Sequence, residues 1–156
     1  MFGTKLRQFL SAVLLERPGR RKTLVEWPVA LTASGERLVA RVVNAQGDEA
    51  RNREVLSHVV GIERWCQRRL RTFLGQPPVR DEYDGYRPGA TASLAEQLAA
   101  FRAARADTIA LVQELAEALP EPDEATVDHN QYGPLSVYAW IRYLDLHANW
   151  EARRIR

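Results

Sequence analysis

Apolar residues recur along this chain at the spacing of helices rather than strands. Leu6, Phe9, Leu10, Val13 and Leu14 repeat at i, i+3, i+4, i+7 and i+8, which predicts a short amphipathic N-terminal helix. Arg17-Pro18-Gly19-Arg20-Arg21-Lys22 breaks that pattern and reads as a basic linker. A long helix is predicted over residues 25–45, with Leu31, Leu38, Val39 and Val42 on its buried side and Gln46-Gly47-Asp48 at its end. Pro28 fits only because it falls in the first turn, where its missing N–H has no helical partner to lose. A second helix is predicted over 51–74, its core stripe being Val55, Val59, Ile62, Cys66, Leu70 and Phe73 and its cap Gly75. Ser93 with Glu96 forms a capping box that opens a third helix over 93–119. Leu94, Leu98, Phe101, Ile109, Val112 and Leu115 supply its apolar face, and its alanine-rich middle suits close helix contact. The last helix is predicted over 136–155, on the stripe Val137, Trp140, Ile141, Leu144, Ala148 and Ile155.

Two long connections remain. Residues 76–92 carry Pro77, Pro78 and Pro88, and a connection of that length in a compact domain tends to be functional or mobile. Residues 120–134 form the other. No alternating strand pattern of useful length and no internal repeat is visible. The expected fold class is therefore all-α, a four-helix bundle over residues 24–156 with an additional N-terminal helix and linker over 1–23.

Composition agrees with a folded domain and adds limits. The 156 residues are 46% hydrophobic and 27% charged, with a formal net charge of +2, so the chain is neither disordered nor a strong polyelectrolyte. The single cysteine, Cys66, excludes an internal disulfide framework and fits a reducing compartment. Lys5 and Arg7 before an apolar stretch imitate a leader, but Glu16-Arg17 follows without a small-residue cleavage pattern, so a docking helix and a cytoplasmic protein are expected. No apolar run approaches the roughly 18 residues that suggest a membrane span. Arg64, Arg68, Arg69 and Arg71 crowd the second helix, yet acidic residues nearly balance them and no base-reading motif is present, so nucleic acid is not an expected partner. Phosphate-binding glycine loops, serine nucleophile elbows and paired-cysteine motifs are absent from the sequence.

The chemistry lies where polar residues interrupt an apolar face. His147 and Glu151 fall on the core stripe of the last helix, four apart and so stacked on one face. Buried polar groups need partners, and an imidazole and a carboxylate one turn apart can share a metal ion. His58, at the edge of the second helix's stripe with Trp65, is the candidate third ligand. Two nitrogens and one oxygen suit Zn(II), Fe(II) or Ni(II) with coordination positions left open. The structural alternative is a pair of hydrogen-bonded core histidines, with Glu151 in a surface ion pair to Arg153 or Arg154. Tyr83 and Tyr86 in the 76–92 connection, together with Trp65, are candidate walls of a substrate pocket. His129 reads as a loop residue packing near the start of the last helix, Cys66 as a buried structural thiol, and Asn149 and Trp150 as facing away from the trio.

Three segments, EWPVALTASGERL in the first long helix, HVVGIERW in the second and YGPLSVYAWIRYLDLH leading into the last, resemble the DinB-like superfamily, which includes the YfiT-like enzymes. The resemblance covers about residues 24–156. It implies a four-helix bundle that holds a metal through three histidines, one on the second helix and two, four apart, on the last. His58 and His147 match the first two positions, and Glu151 stands where the third histidine is typical. It further implies a homodimer and a metal-dependent enzyme, a thiol S-transferase or hydrolase, that sets a low-molecular-weight thiol or water on a small electrophile. The rival implication is a non-catalytic, metal-free member that binds a small molecule or serves a stress response.

Overall fold

In the computed structural model, which describes residues 9–120 and 124–156, four long helices carry the fold: α1 (Trp27–Val43), α2 (Glu49–Leu70), α3 (Leu94–Ala118) and α4 (Val137–Ala152). Each begins where local chemistry satisfies its first backbone N–H groups. Pro28 sits in the first turn of α1. Asp48 accepts a hydrogen bond from the Arg51 amide and starts α2 two residues before the predicted start. Ser93 and Glu96 form the full reciprocal capping box at α3. Ser136 caps α4 by accepting from the Ala139 amide. At its far end α2 tightens into a 3-10 turn, Arg71–Leu74, and stops at Gly75, whose φ of 91° is open to glycine at little cost.

Helices α1 and α2 both pack against α3 and α4. Two buried clusters fill the interior. One gathers Trp27, Leu31, Ile62, Cys66, Leu115, Trp140 and Leu144; the other gathers Leu38, Val42, Val55, Val59, Phe101 and Ala152. Buried polar residues occupy the level between them: Ser34 lies between Leu31 and Leu38 on α1, and Arg105 between Phe101 and Leu115 on α3. Arg105 donates to Glu63 Oε2 at 3.0 Å, to the Leu31 carbonyl at 3.1 Å and to the Ser34 hydroxyl at 3.2 Å, and so ties α1, α2 and α3 together.

The structure corrects the N-terminal reading. Leu6 lies outside the described residues. Of the predicted stripe, Phe9, Leu10 and Val13 are exposed and Leu14 is half-buried against the core, whereas Ser11, Leu15 and Gly19 form the buried face. That face follows an i, i+4, i+8 spacing because the segment is wound as a π-helix over Ala12–Glu16 and remains helical through Arg17–Gly19, into the expected linker. It docks on α4. A Cβ on Gly19 would stand 2.7 Å from the Tyr138 carbonyl oxygen, so glycine permits the approach. Glu16 then accepts from the Ser136 amide and hydroxyl at 2.9 and 2.6 Å, bracing the start of α4.

The second correction is a small antiparallel hairpin, β1 (Val127–His129) and β2 (Gly133–Leu135), in a connection read as loop. Its strands are too short to show alternation, and Gly133, at φ 77°, opens β2 directly after the turn.

Candidate metal centre and its cavity

Helix α2 carries His58 and helix α4 carries His147 and Glu151, and contact between the two helices brings all three together. His58 Nε2 and His147 Nε2 are 3.0 Å apart. One ligand atom from each of the three residues lies within 4.8 Å of the others. His147 and Glu151 are both buried, as their place on the apolar stripe predicts, and His58 is half-buried. Glu151 also has the partner that the structural alternative foresees: its Oε2 accepts from Arg154 Nη1 at 2.7 Å. It is thus a buried carboxylate with an ion pair at its outer side.

The imidazole pair suits a metal. Two imidazole nitrogens bound to one Zn(II), each at about 2.0–2.1 Å, must lie less than about 4.2 Å apart, and the Nε2 pair does. Burial pushes the His147 pKa down to about 3, assisted by His58 and by the charge of Arg105. His58 is also lowered, first by burial, with Glu151 opposing and Arg87 and Arg154 adding to the shift. Both rings are therefore neutral near pH 7, the form that ligates. Free of metal, one ring donates to the other.

A cavity of about 260 Å³ opens beside the pair, with His58, His147, Trp65, Tyr83, Tyr143 and Trp150 in its wall. Of the residues proposed as pocket walls, Tyr83 and Trp65 are there; the Tyr83 ring meets His58 edge-on at 4.9 Å. Tyr86 is not among the lining residues and instead donates to Asp81 Oδ2 at 2.6 Å. Trp150, expected to face away, also lines the cavity, while Asn149 bonds to Arg37 at 2.9 Å.

The 76–92 connection covers this side of α2 through a network centred on Asp81. Arg69, fully buried with its guanidinium 4.1 Å from the Trp65 ring centroid, pairs with the Asp81 carboxylate. Trp65 Nε1, Arg69 Nη2 and Asn130 Nδ2 all donate to the Asp81 carbonyl. Burial raises the Asp81 carboxyl, but hydrogen bonds from Tyr86 and Arg69 outweigh it and hold the pKa below the ordinary value. Arg64 and Arg68 donate to the carbonyls of Tyr86 and Pro77. The basic crowd on α2 thus fastens the connection. A short 3-10 turn, Tyr83–Tyr86, lies over Gly61, where a Cβ would stand 2.9 Å from Arg87 Cγ and 3.0 Å from the Tyr83 carbonyl oxygen.

Cys66 is fully buried, and burial pushes its thiol pKa well up, so it is a packing residue. His129 packs against Trp140 near the start of α4, as its sequence position predicts; its place in the cavity wall is what the sequence did not show. It is buried at the end of β1 and forms part of the cavity wall among Trp65, Tyr132, Trp140 and Tyr143. Burial lowers its pKa to about 4. The only signal for it in the sequence was a histidine shortly before a glycine turn, too common a pattern to single out.

No protein-family model, curated protein or solved structure matches this chain. Among the described residues, no helix is long and apolar enough to cross a membrane.

Proposed function

We propose that this protein is a DinB-like four-helix-bundle metalloenzyme in which His58, His147 and Glu151 hold one divalent ion. The reading rests on one observation: two neutral imidazoles and a buried carboxylate, from two helices, converge beside a cavity. A divalent ion held there supplies Lewis acidity, lowering the pKa of a thiol or water so that it is a nucleophile near neutral pH. The chain's own residues do the rest. Trp65, Tyr83, Tyr143 and Trp150 give the cavity apolar walls for a small electrophile. The Asp81 network keeps the covering connection on α2. Arg154 orients the Glu151 carboxylate through Oε2. Zinc, nickel and iron all suit the donor set, and a low-molecular-weight thiol is the proposed co-substrate. The lone, buried Cys66 accords with a cytoplasmic setting, and the exposed Phe9, Leu10 and Val13 offer an apolar face for a homodimer.

A second reading has its own observation. The Nε2–Nε2 hydrogen bond and the Glu151–Arg154 pair satisfy the trio without an ion, as in a non-catalytic protein that binds a small molecule, such as one serving a stress response.

Elemental analysis of protein purified without an affinity tag separates the two. The metalloenzyme predicts about one divalent ion per chain, its loss in His147→Ala, weaker retention in Glu151→Gln, and retained or stronger binding in Glu151→His. Metal-free wild-type protein that takes up no stoichiometric zinc, nickel or iron would favour the second reading.

A further inference from the structure

A groove of about 900 Å³ runs between α1 and α4 and shares no lining residue with the cavity beside the trio. Five arginines line it: Arg37 and Arg41 from α1, Arg142 from α4, and Arg153 and Arg156 from the residues just after α4. No aspartate or glutamate is among its lining residues. Arg142 is paired with Asp145 at 2.7 Å. The other four are exposed and, among the described residues, have no ion pair. The arginines around the metal centre contrast with these: Arg69 pairs with Asp81, Arg87 with Glu54 and Asp84, Arg105 with Glu63, and Arg154 with Glu151.

The groove is also built to keep its charge in place. Arg37 and Arg41 stand one turn apart on α1, where like charges repel. Arg37 Nε donates to Asn149 Oδ1 at 2.9 Å, which joins the two banks and leaves Nη1 and Nη2 of Arg37 without a protein partner among the described residues. Carbonyls at the ends of both helices, which would repel an anion, are engaged locally: Ala40 accepts from the Asn44 side chain at 2.8 Å, and Trp150 and Glu151 accept from the Arg153 and Arg154 amides.

Four unpaired guanidiniums around a concave site concentrate positive potential and attract an anion. The planar fork of arginine matches phosphoryl oxygens in paired hydrogen bonds. A phosphoryl monoester carries about −1.5 to −2 near pH 7, so two of them balance four guanidiniums. The volume lies within the range of about 300–1,000 Å³ usual for small-molecule sites. No aromatic residue lines the groove for a base to stack on, which disfavours single-stranded nucleic acid.

We infer that the groove between α1 and α4 is a second ligand site, which takes a small organic molecule bearing two phosphoryl groups. Arg37 and Arg41 hold one phosphoryl, and Arg153 and Arg156 hold the other. The inference goes beyond the metal centre and needs no ion in the trio.

The test is calorimetric titration of full-length protein stripped of metal, so that no ion in the trio captures a phosphate. The probes are fructose 1,6-bisphosphate, fructose 6-phosphate, citrate and a short oligothymidylate. The bisphosphate is expected to bind about tenfold more tightly than the monophosphate, the scale of the charge-assisted hydrogen bonds that the second phosphoryl adds. Arg41→Gln combined with Arg153→Gln takes one arginine from each bank, and bisphosphate affinity should fall about tenfold or more. Arg80→Gln combined with Arg102→Gln removes the same net charge away from the groove and should leave affinity at the wild-type value. All four of these arginines are exposed, so neither change reaches the core. Should the groove variant nonetheless fail to fold, the comparison of the two sugar phosphates in wild type needs no variant. Equal affinity for those two probes, citrate bound as tightly as the bisphosphate, equal losses in the two double variants, or tighter binding of the oligothymidylate would each overturn the inference. None of these outcomes depends on metal content, so its failure and that of the metal site are separable.

Discussion

The three histidines differ in what holds each neutral ring, and pH exposes the difference. His129 and His147 are buried with pKa values lowered to about 4 and about 3, against an ordinary value of 6.5. As pH falls below about 6.5 the unfolded chain takes up protons at these positions while the folded chain does not. Folding stability of the metal-free protein is therefore present near pH 7 and is lost on acidification towards pH 4. The slope is roughly 1.4 kcal/mol per pH unit for each histidine protonated only in the unfolded state. Urea denaturation between pH 7 and 4 checks this; His129→Asn should flatten the slope, and a pH-independent midpoint in wild type would contradict it. His147 and Glu151 were legible in the sequence because polar residues on an apolar stripe are conspicuous. Arg69 was not, since an arginine among arginines looks like surface; only the fold shows it buried against Trp65 and Asp81. Arg105 and Glu63 were equally hidden, because they lie on different helices and nothing local marks them as partners.

At the scale of elements, the long helices and their caps followed from patterns contained within a turn or two, such as Ser93 with Glu96. The N-terminal segment shows where such patterns stop working. Phe9, Leu10 and Val13 make an amphipathic stripe, yet docking is decided by Gly19 against Tyr138 and Glu16 against Ser136, contacts between distant parts of the chain. The hairpin escaped notice because three-residue strands show no period, although it is what carries His129 into the cavity wall. Gly61 connects α2 to the covering connection in a similar way. Gly61→Ala gains helix propensity of about 1 kcal/mol, but its methyl meets the Tyr83 carbonyl at 3.0 Å, a backbone atom that cannot swing aside. The expected outcome is displacement of the 76–92 connection and faster cleavage there in limited proteolysis. A cleavage rate equal to wild type would show that the contact relaxes cheaply.

For the whole molecule, four packed helices with two apolar clusters and a polar level between them place the trio at the edge of the interior, beside the cavity. The apolar residues left exposed near the N-terminus, Phe9 at 63% and Val13 at 38%, carry the proposed homodimer. Sedimentation at tens of micromolar, a range that detects dissociation constants of about 10 μM or tighter, should show a dimer that Phe9→Ser weakens; a monomer throughout would remove that proposal and leave the site untouched. The central claim concerns the trio, and X-ray absorption at the zinc edge of zinc-loaded protein tests it most directly. The account predicts a first shell containing two imidazole nitrogens and a carboxylate oxygen at about 2.0–2.2 Å, with the imidazole scattering reduced in His147→Ala. A shell without histidine scattering, or one unchanged by that substitution, would contradict it.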